Sequence, residues 1–264
     1  MKILLYVLLG AIQGFTEPIP VSSSGHLVIF NTLLNIDVLK DLNFEIFVNF
    51  GSLIAIIIFY RKEILKIIKD FFMYIKTKKE EFKENYIYAW LIVIATIPAG
   101  ICGLLFKEKI ENLISAKVVG LALIITGLML FIVRDIKGSR DKINIKDAIL
   151  IGCFQVLALF PGISRSGSTI VGGMIRNLKR DTAFKFSFML YLPISFATMI
   201  LGVKDLNDSG LTSTLLFPYI LGTIAAGIVT YFSIQWFKKI MEKGKLIYFV
   251  YYCIGAGLLT ILFV

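Results

Sequence analysis

The sequence predicts an all-α polytopic membrane protein made of two inverted-topology repeats, each a re-entrant helix hairpin plus three transmembrane helices. Three observations predict it. The first is composition: 57% of the 264 residues are hydrophobic and 17% charged, against roughly 25% charged in soluble domains, and mean hydropathy is +0.82. So little polar surface cannot cover a globule in water. The second is a series of charge-free runs, such as 85–106 and 246–264, close to the ~20 residues needed to cross a bilayer core. The third is an internal duplication at a constant shift.

Taken in order, six apolar segments read as full spans: 44–60, 88–106, 116–133, 184–202, 215–237 and 246–264. Two others are broken. Residues 3–34 are interrupted by Glu17, Pro18, Pro20, Ser22, Ser23, Ser24, Gly25 and His26, and residues 148–175 by Pro161, Gly162, Ser164, Arg165, Ser166 and Gly167. The unbroken piece 148–160 reaches only about 20 Å as helix, short of the roughly 30 Å hydrocarbon core, so each broken segment is expected to enter and leave on one side. A shift of 142 aligns Gly10 with Gly152, Gln13 with Gln155, Ser22 with Ser164, Ser24 with Ser166 and Gly25 with Gly167. A shift of 127 aligns Thr96–Ile101 with Thr223–Ile228. Repeat one covers about 1–133 and repeat two about 146–264, within a single membrane domain over 1–264.

Lys and Arg set the topology. With both broken segments re-entrant, loops 61–87, 134–147, 176–185 and 238–245 hold 21 basic residues and the opposite side, including Lys2, Lys40 and Lys204, holds six. With both spanning, the split is 15 to 12. Cytoplasmic loops retain Lys and Arg, which favours re-entrance. Three true spans per half then invert the halves, let the two broken tips meet near the midplane, and leave both termini outside. Residues 61–87 read as a solvated cytoplasmic helix pair. The net charge of +10 is thereby assigned to topology, not to nucleic acid. Cys102, Cys153 and Cys253 lie singly in apolar runs without metal-ligand spacing and read as packing residues.

An ionisable group in an apolar segment costs about 2.5–3.5 kcal/mol on insertion scales. Glu17 and Arg165 are the formally charged residues of the broken segments, and His26 is the sole histidine. Residues 161–169 have the ingredients of a phosphate cradle: glycines for close backbone approach, Ser or Thr to cap the following helix, a helix N-terminus, and Arg165 to donate two parallel hydrogen bonds. Residues 13–26 supply the complement. A serine and a histidine two or three residues apart can form a nucleophile and base, with Glu17 as orienter, cation ligand or acid. A buried ion pair between Glu17 and Arg165, and helix capping by His26 or the serines, are the structural alternatives.

These motifs resemble those of the bacterial undecaprenyl pyrophosphate phosphatases of the bacitracin-resistance type. Gln13 to His26 is similar to the (E/Q)xxxE plus PxxSSxGH region and Pro161 to Thr169 to PGxSRSxxT, and the likeness runs over essentially the whole chain. The resemblance implies a multi-pass hydrolase of the bacterial cytoplasmic membrane, its site opening to the extracytoplasmic side. Such an enzyme removes the terminal phosphate of a polyprenyl pyrophosphate, recycling the cell-wall lipid carrier and conferring bacitracin resistance. The family's functional positions fall on Glu17, Ser22, Ser23, His26, Ser164, Arg165, Ser166 and Thr169. A divalent cation, Mg2+ or Ca2+, is expected, with Glu17 as a ligand. Gln13 stands where the family's first acidic residue often is, Pro18 where an aromatic is commoner, and Asn49 where relatives often have Gln or His.

Ser23 is the first choice of nucleophile, activated by His26 with Glu17 behind it; a phosphohistidine at His26 and direct water attack stay open. Ser22, Ser164, Ser166 and Thr169 are assigned to phosphate binding. The rival from another class is a transporter or flippase of a phosphorylated polyprenyl lipid, since inverted repeats with broken helices are common in transporters. Expected partners are the pyrophosphate lipid, the bilayer and, as one oligomeric option, a second copy of the chain.

Overall fold

The computed structural model describes residues 2–34, 42–111, 113, 115–209 and 213–264; Lys40, counted above on the outer side, lies outside them. Among the described residues there are eleven helices and no strand: α1 (Lys2–Thr16), α2 (Ser23–Leu34), α3 (Leu42–Phe59), α4 (Arg61–Thr77), α5 (Glu80–Glu111), α6 (Ala116–Val133), α7 (Ile145–Leu157), α8 (Arg165–Ile175), α9 (Arg180–Ser209), α10 (Ser213–Glu242) and α11 (Ile247–Phe263). The chain is a multi-pass α-helical membrane protein.

Of the six expected spans, those in α5, α6, α9 and α10 are long and apolar enough to cross a membrane. The fifth, in α3, qualifies only together with α4, into which it bends by 74°. The sixth is α11, apolar throughout but 17 residues long, or about 26 Å at 1.5 Å per residue. Residues 61–87 form the expected helix pair. Asn85 donates to Asp70 at 2.5 Å, and Phe71 stacks on Tyr86. Leu65, Ile68, Phe72 and Ile75 of α4 remain exposed, a row that suits a helix lying in the membrane interface.

Both expected breaks are present. The pairs α1–α2 and α7–α8 consist of helices of 11 to 15 residues that pack on each other across their breaks. Local chemistry explains the starts. Ser164 caps α8 by accepting from Gly167 N at 3.1 Å, and Asn144 with Asp147 forms a capping box on α7. The tips touch: Ser166 Oγ donates to the Ile19 carbonyl at 3.2 Å, and a Cβ on Gly25 would come within 3.0 Å of Gly162 Cα.

Small residues set the closest helix contacts. α1 lies so tightly on α10 that a Cβ on Gly10 would strike the Gly222 backbone and one on Gly14 the Ala226 backbone. The same kind of contact joins α7 to α5, where a Cβ on Gly152 would lie 2.6 Å from the Ala95 carbonyl oxygen. Lipid tails are as apolar as leucine, so such close packing, rather than burial, drives association in membranes. Aromatic residues fill the remaining interior, with Phe184, Phe188, Phe237 and Phe249 in mutual contact on one side and Tyr6, Phe44 and Tyr219 on the other.

Candidate active site

α1 ends where Glu17 N bonds back to the Gln13 carbonyl at 2.8 Å, and the chain then turns through Pro18–Val21 to Ser22. Ser22 has φ +66, in the left-handed region that non-glycine residues rarely adopt. The turn delivers Ser23 to the start of α2 with its hydroxyl donating to Glu17 Oε2. From the other hairpin, Arg165 donates to Glu17 Oε1 at 3.0 Å. Glu17 is buried, its side chain 4% exposed, whereas that of Arg165 is 29% exposed.

The surroundings fix both groups. Gln13, one turn before Glu17 on α1, donates to Glu17 Oε2 at 2.8 Å and to Asn49 Oδ1 at 2.6 Å. Arg165 donates its second branch to Ser195 Oγ at 3.1 Å, and its guanidinium lies over the Tyr191 ring, 4.5 Å from the centroid. A cation on an aromatic face is stabilised by the ring quadrupole, so Arg165 is held in the plane that meets Glu17. A polar cleft of about 60 Å³ opens here, lined by Glu17, Ser22, Ser23, Ser24, Ile163, Ser164 and Arg165 among others. A wholly different cavity of about 320 Å³ lies between α3 and α10, lined by the apolar Ile54, Ala55, Ile228 and Phe232.

Of the residues expected at the site, Glu17, Ser22, Ser23, Ser164 and Arg165 line the polar cleft. Ser166 is at its edge, its hydroxyl 3.2 Å from Ser164 Oγ. Thr169 points elsewhere: its Oγ1 donates to the Arg165 carbonyl at 2.9 Å and lies 2.5 Å from Ser187 Oγ. His26 is also turned away from Ser23. Its Nδ1 meets the Ser22 carbonyl at 2.8 Å and its Nε2 meets Tyr252 Oη at 2.6 Å. Ser23 thus has a carboxylate, not an imidazole, against its hydroxyl.

Sequence reasoning missed Ser195, Tyr191, Tyr252 and Glu45. Glu45, on α3, interacts electrostatically with both Glu17 and Arg165. An acidic residue beside an apolar span was a legible signal, because such a group needs a reason to be there. The other three carry none, since isolated Ser and Tyr are ordinary in membrane helices.

No cluster of three or more His, Cys, Asp and Glu is present among the described residues, so an all-protein metal cage is not built here. The donor set still fits a hard cation. The buried Oε1 of Gln13 has no hydrogen-bond partner, on a side chain whose Nε2 donates to the Glu17 carboxylate. Mg2+ commonly binds through one or two carboxylates plus substrate phosphates.

The family model for bacitracin resistance protein BacA matches residues 6–259. The chain is 45% identical to Undecaprenyl-diphosphatase 3 of Bacillus anthracis, over 99% of this chain and 97% of that protein. It is 42% identical to Undecaprenyl-diphosphatase 1 of Bacillus licheniformis, over 100% and 98%. In this fold of packed apolar helices a carboxylate, a serine and an arginine meet between two broken helix pairs. The chain belongs to the BacA family.

Proposed function

We propose that this chain hydrolyses undecaprenyl pyrophosphate to undecaprenyl phosphate and inorganic phosphate, which recycles the lipid carrier of cell-wall synthesis in the bacterial cytoplasmic membrane and confers bacitracin resistance. One observation carries the reading. A single buried carboxylate, Glu17, accepts from the Ser23 hydroxyl through one oxygen and from Arg165 of the opposite hairpin through the other. That pairs an activated hydroxyl with the charge needed to hold a phosphate. A transporter has no need of the serine.

Ser23 Oγ attacks the terminal phosphorus as its proton passes to Glu17. The Oγ–P bond forms, the bond to the bridging oxygen breaks, and Glu17 returns the proton to that oxygen as undecaprenyl phosphate leaves. Water then attacks the phosphoserine; Glu17 takes the proton from water and delivers it to Ser23 Oγ as phosphate departs. Arg165 and the amino end of α8 stabilise the charge on the transferring group, which is where phosphoryl transfer gains most from a protein. Ser164 and Ser166 extend the cradle. Gln13 Oε1 and Glu17 would hold a divalent cation, Mg2+ or Ca2+, which supplies further neutralisation of the pyrophosphate when bound.

The architecture follows the same reading: repeats at about 1–133 and 146–264, inverted, with re-entrant hairpins, both termini outside and the cleft opening outward. The helix contacts support it. The α1–α10 contact at Gly10 and Gly222 and the α7–α5 contact at Gly152 and Ala95 are the same contact under the two shifts of the duplication. The cavity between α3 and α10 offers an apolar seat for isoprenoid units.

Purified protein in detergent is expected to release phosphate from undecaprenyl or farnesyl pyrophosphate, with Ser23→Ala and Arg165→Ala folded but inactive, and a labelled phosphoryl group is expected to be trapped on Ser23. Label found on His26 would remove Ser23 as nucleophile. No phosphate release by the wild-type chain with Mg2+ or Ca2+ present would turn the same residues into a lipid pyrophosphate transport site.

A further inference from the structure

His26 is 5% exposed and both ring nitrogens are engaged. The Ser22 carbonyl can only accept, so Nδ1 carries the proton when the ring is neutral. Nε2 is then the lone-pair nitrogen, and Tyr252 must donate its hydroxyl to it. The two rings stack, with centroids 5.6 Å apart and planes 11° from parallel. The Ser22 carbonyl also accepts the backbone N–H of His26 at 3.2 Å. Two hydrogen bonds from one residue therefore hold the carbonyl of a serine in the left-handed region, which non-glycine residues rarely adopt. The residue that follows is Ser23. α11 grips the same turn at a second point, because Cys253 Sγ donates to the Pro20 carbonyl at 3.4 Å.

We propose that His26 is a positioning residue: its Nδ1–H clamps Ser22 in the left-handed conformation that aims the Ser23 hydroxyl at Glu17, and Tyr252 selects the imidazole tautomer that makes the clamp. The functional arm of this inference rests on the hydrolase reading above; the tautomer arm does not. The hydrogen bonds of the His26 ring go to Ser22 and Tyr252 and not to Ser23, Glu17 or Arg165, so neither base nor nucleophile chemistry is assigned to it. Tyr252 brings a side chain from the end of the second repeat to the catalytic turn of the first.

The protein has one histidine, so selective 15N-histidine labelling reports on it alone. NMR of the whole protein in detergent at neutral pH is expected to show the Nδ1–H tautomer, which free neutral imidazole does not favour. Tyr252→Phe is expected to move it towards Nε2–H. A ring that is Nε2–H or doubly protonated in the wild-type protein overturns the proposal, whether or not the protein turns over substrate.

Turnover supplies the second arm. His26→Asn keeps an N–H donor near the Nδ1 position, whereas His26→Ala does not. The Asn variant should keep kcat within about fivefold of wild type and the Ala variant should lose about 100-fold, a loss in keeping with misplacing a reacting group. Tyr252→Phe should lower kcat several-fold alone and add nothing in the His26→Asn background, since asparagine has no tautomer to select. If His26→Asn is folded and as inactive as His26→Ala, or if the Tyr252 effect persists beside it, the clamp is refuted.

Discussion

At the scale of single residues, Glu17 is held by donors from three sources: Ser23, Gln13 and Arg165. Glu17→Gln preserves volume and removes the proton acceptor, so kcat is expected to fall about 10²–10⁴-fold, the usual contribution of a positioned base. Phosphate release from the folded variant measures it. Arg165 contributes a planar fork that reaches Ser195 and Glu17 at once and stacks on Tyr191. Lysine can match neither the fork nor the stacking. Arg165→Lys should therefore cost about 10²-fold or more in kcat/KM despite the retained charge. Motif reading puts Glu17, Ser23 and Arg165 at one place, because a buried charge in an apolar segment demands a partner, and hydrogen bonds join the three. It paired Ser23 with His26 because they are three residues apart. Three residues on a helix put two side chains roughly on one face, but the left-handed turn at Ser22 sets the Ser23 hydroxyl towards Glu17 instead.

At the scale of elements, the short helices hold their depth through two devices. α1 is seated by glycine contacts on α10, so a larger side chain has no room: Gly14→Val should destabilise the fold by about 1–3 kcal/mol as overpacking does, seen as a lower thermal midpoint in detergent. α7 is held at its loop end, ahead of the apolar run that begins at Ala148. There the buried Asp147 accepts from Arg140 at 2.5 Å and from Arg176 at 2.7 Å. Burial pushes the Asp147 carboxyl up, but the two guanidiniums and the Asn144 N–H outweigh it and hold it below the ordinary carboxylate range. A carboxyl depressed in the folded state stabilises fully above its unfolded pKa and loses that contribution as pH falls through the folded one. The stabilisation should thus be intact at neutral pH and fade below about pH 4. Asp147→Asn should lower the melting midpoint at pH 7 and narrow the difference from wild type in acid. Both arginines are about one-third exposed, so solvent screening keeps the loss modest.

At the scale of the molecule, orientation is the property to test. In a background with the three native cysteines replaced, Lys137→Cys lies in an exposed loop and Leu113→Cys at an exposed turn. A membrane-impermeant maleimide added to intact cells should label position 113 and spare position 137 until the membrane is opened. Labelling of 137 from outside would refute the predicted orientation, with the 134–147 loop on the cytoplasmic side. The sequence made the two breaks legible within 17–26 and 161–167, since proline, glycine and serine interrupt an apolar run, and the helices part at 17–22 and 158–164. It made α6 legible to the residue, since the apolar segment read over 116–133 coincides with the helix. α3 was less clear: an apolar run says nothing of the 74° bend into α4, which depends on what the next helix packs against.

The sequence by itself determined that the chain lives in a membrane, where its helices break, and which motifs meet in the breaks. Hydropathy, turn chemistry and residue identity are local properties, and they survive without knowledge of the fold. The tertiary structure decided which atom faces which. That Ser23 meets Glu17, that Arg165 rests on Tyr191 and Ser195, and that Tyr252 reaches His26 across 226 residues all depend on helix rotation and depth. Those are set by close packing at sites such as Gly10 and Gly222, and no local pattern encodes the register in which two distant helices come to rest.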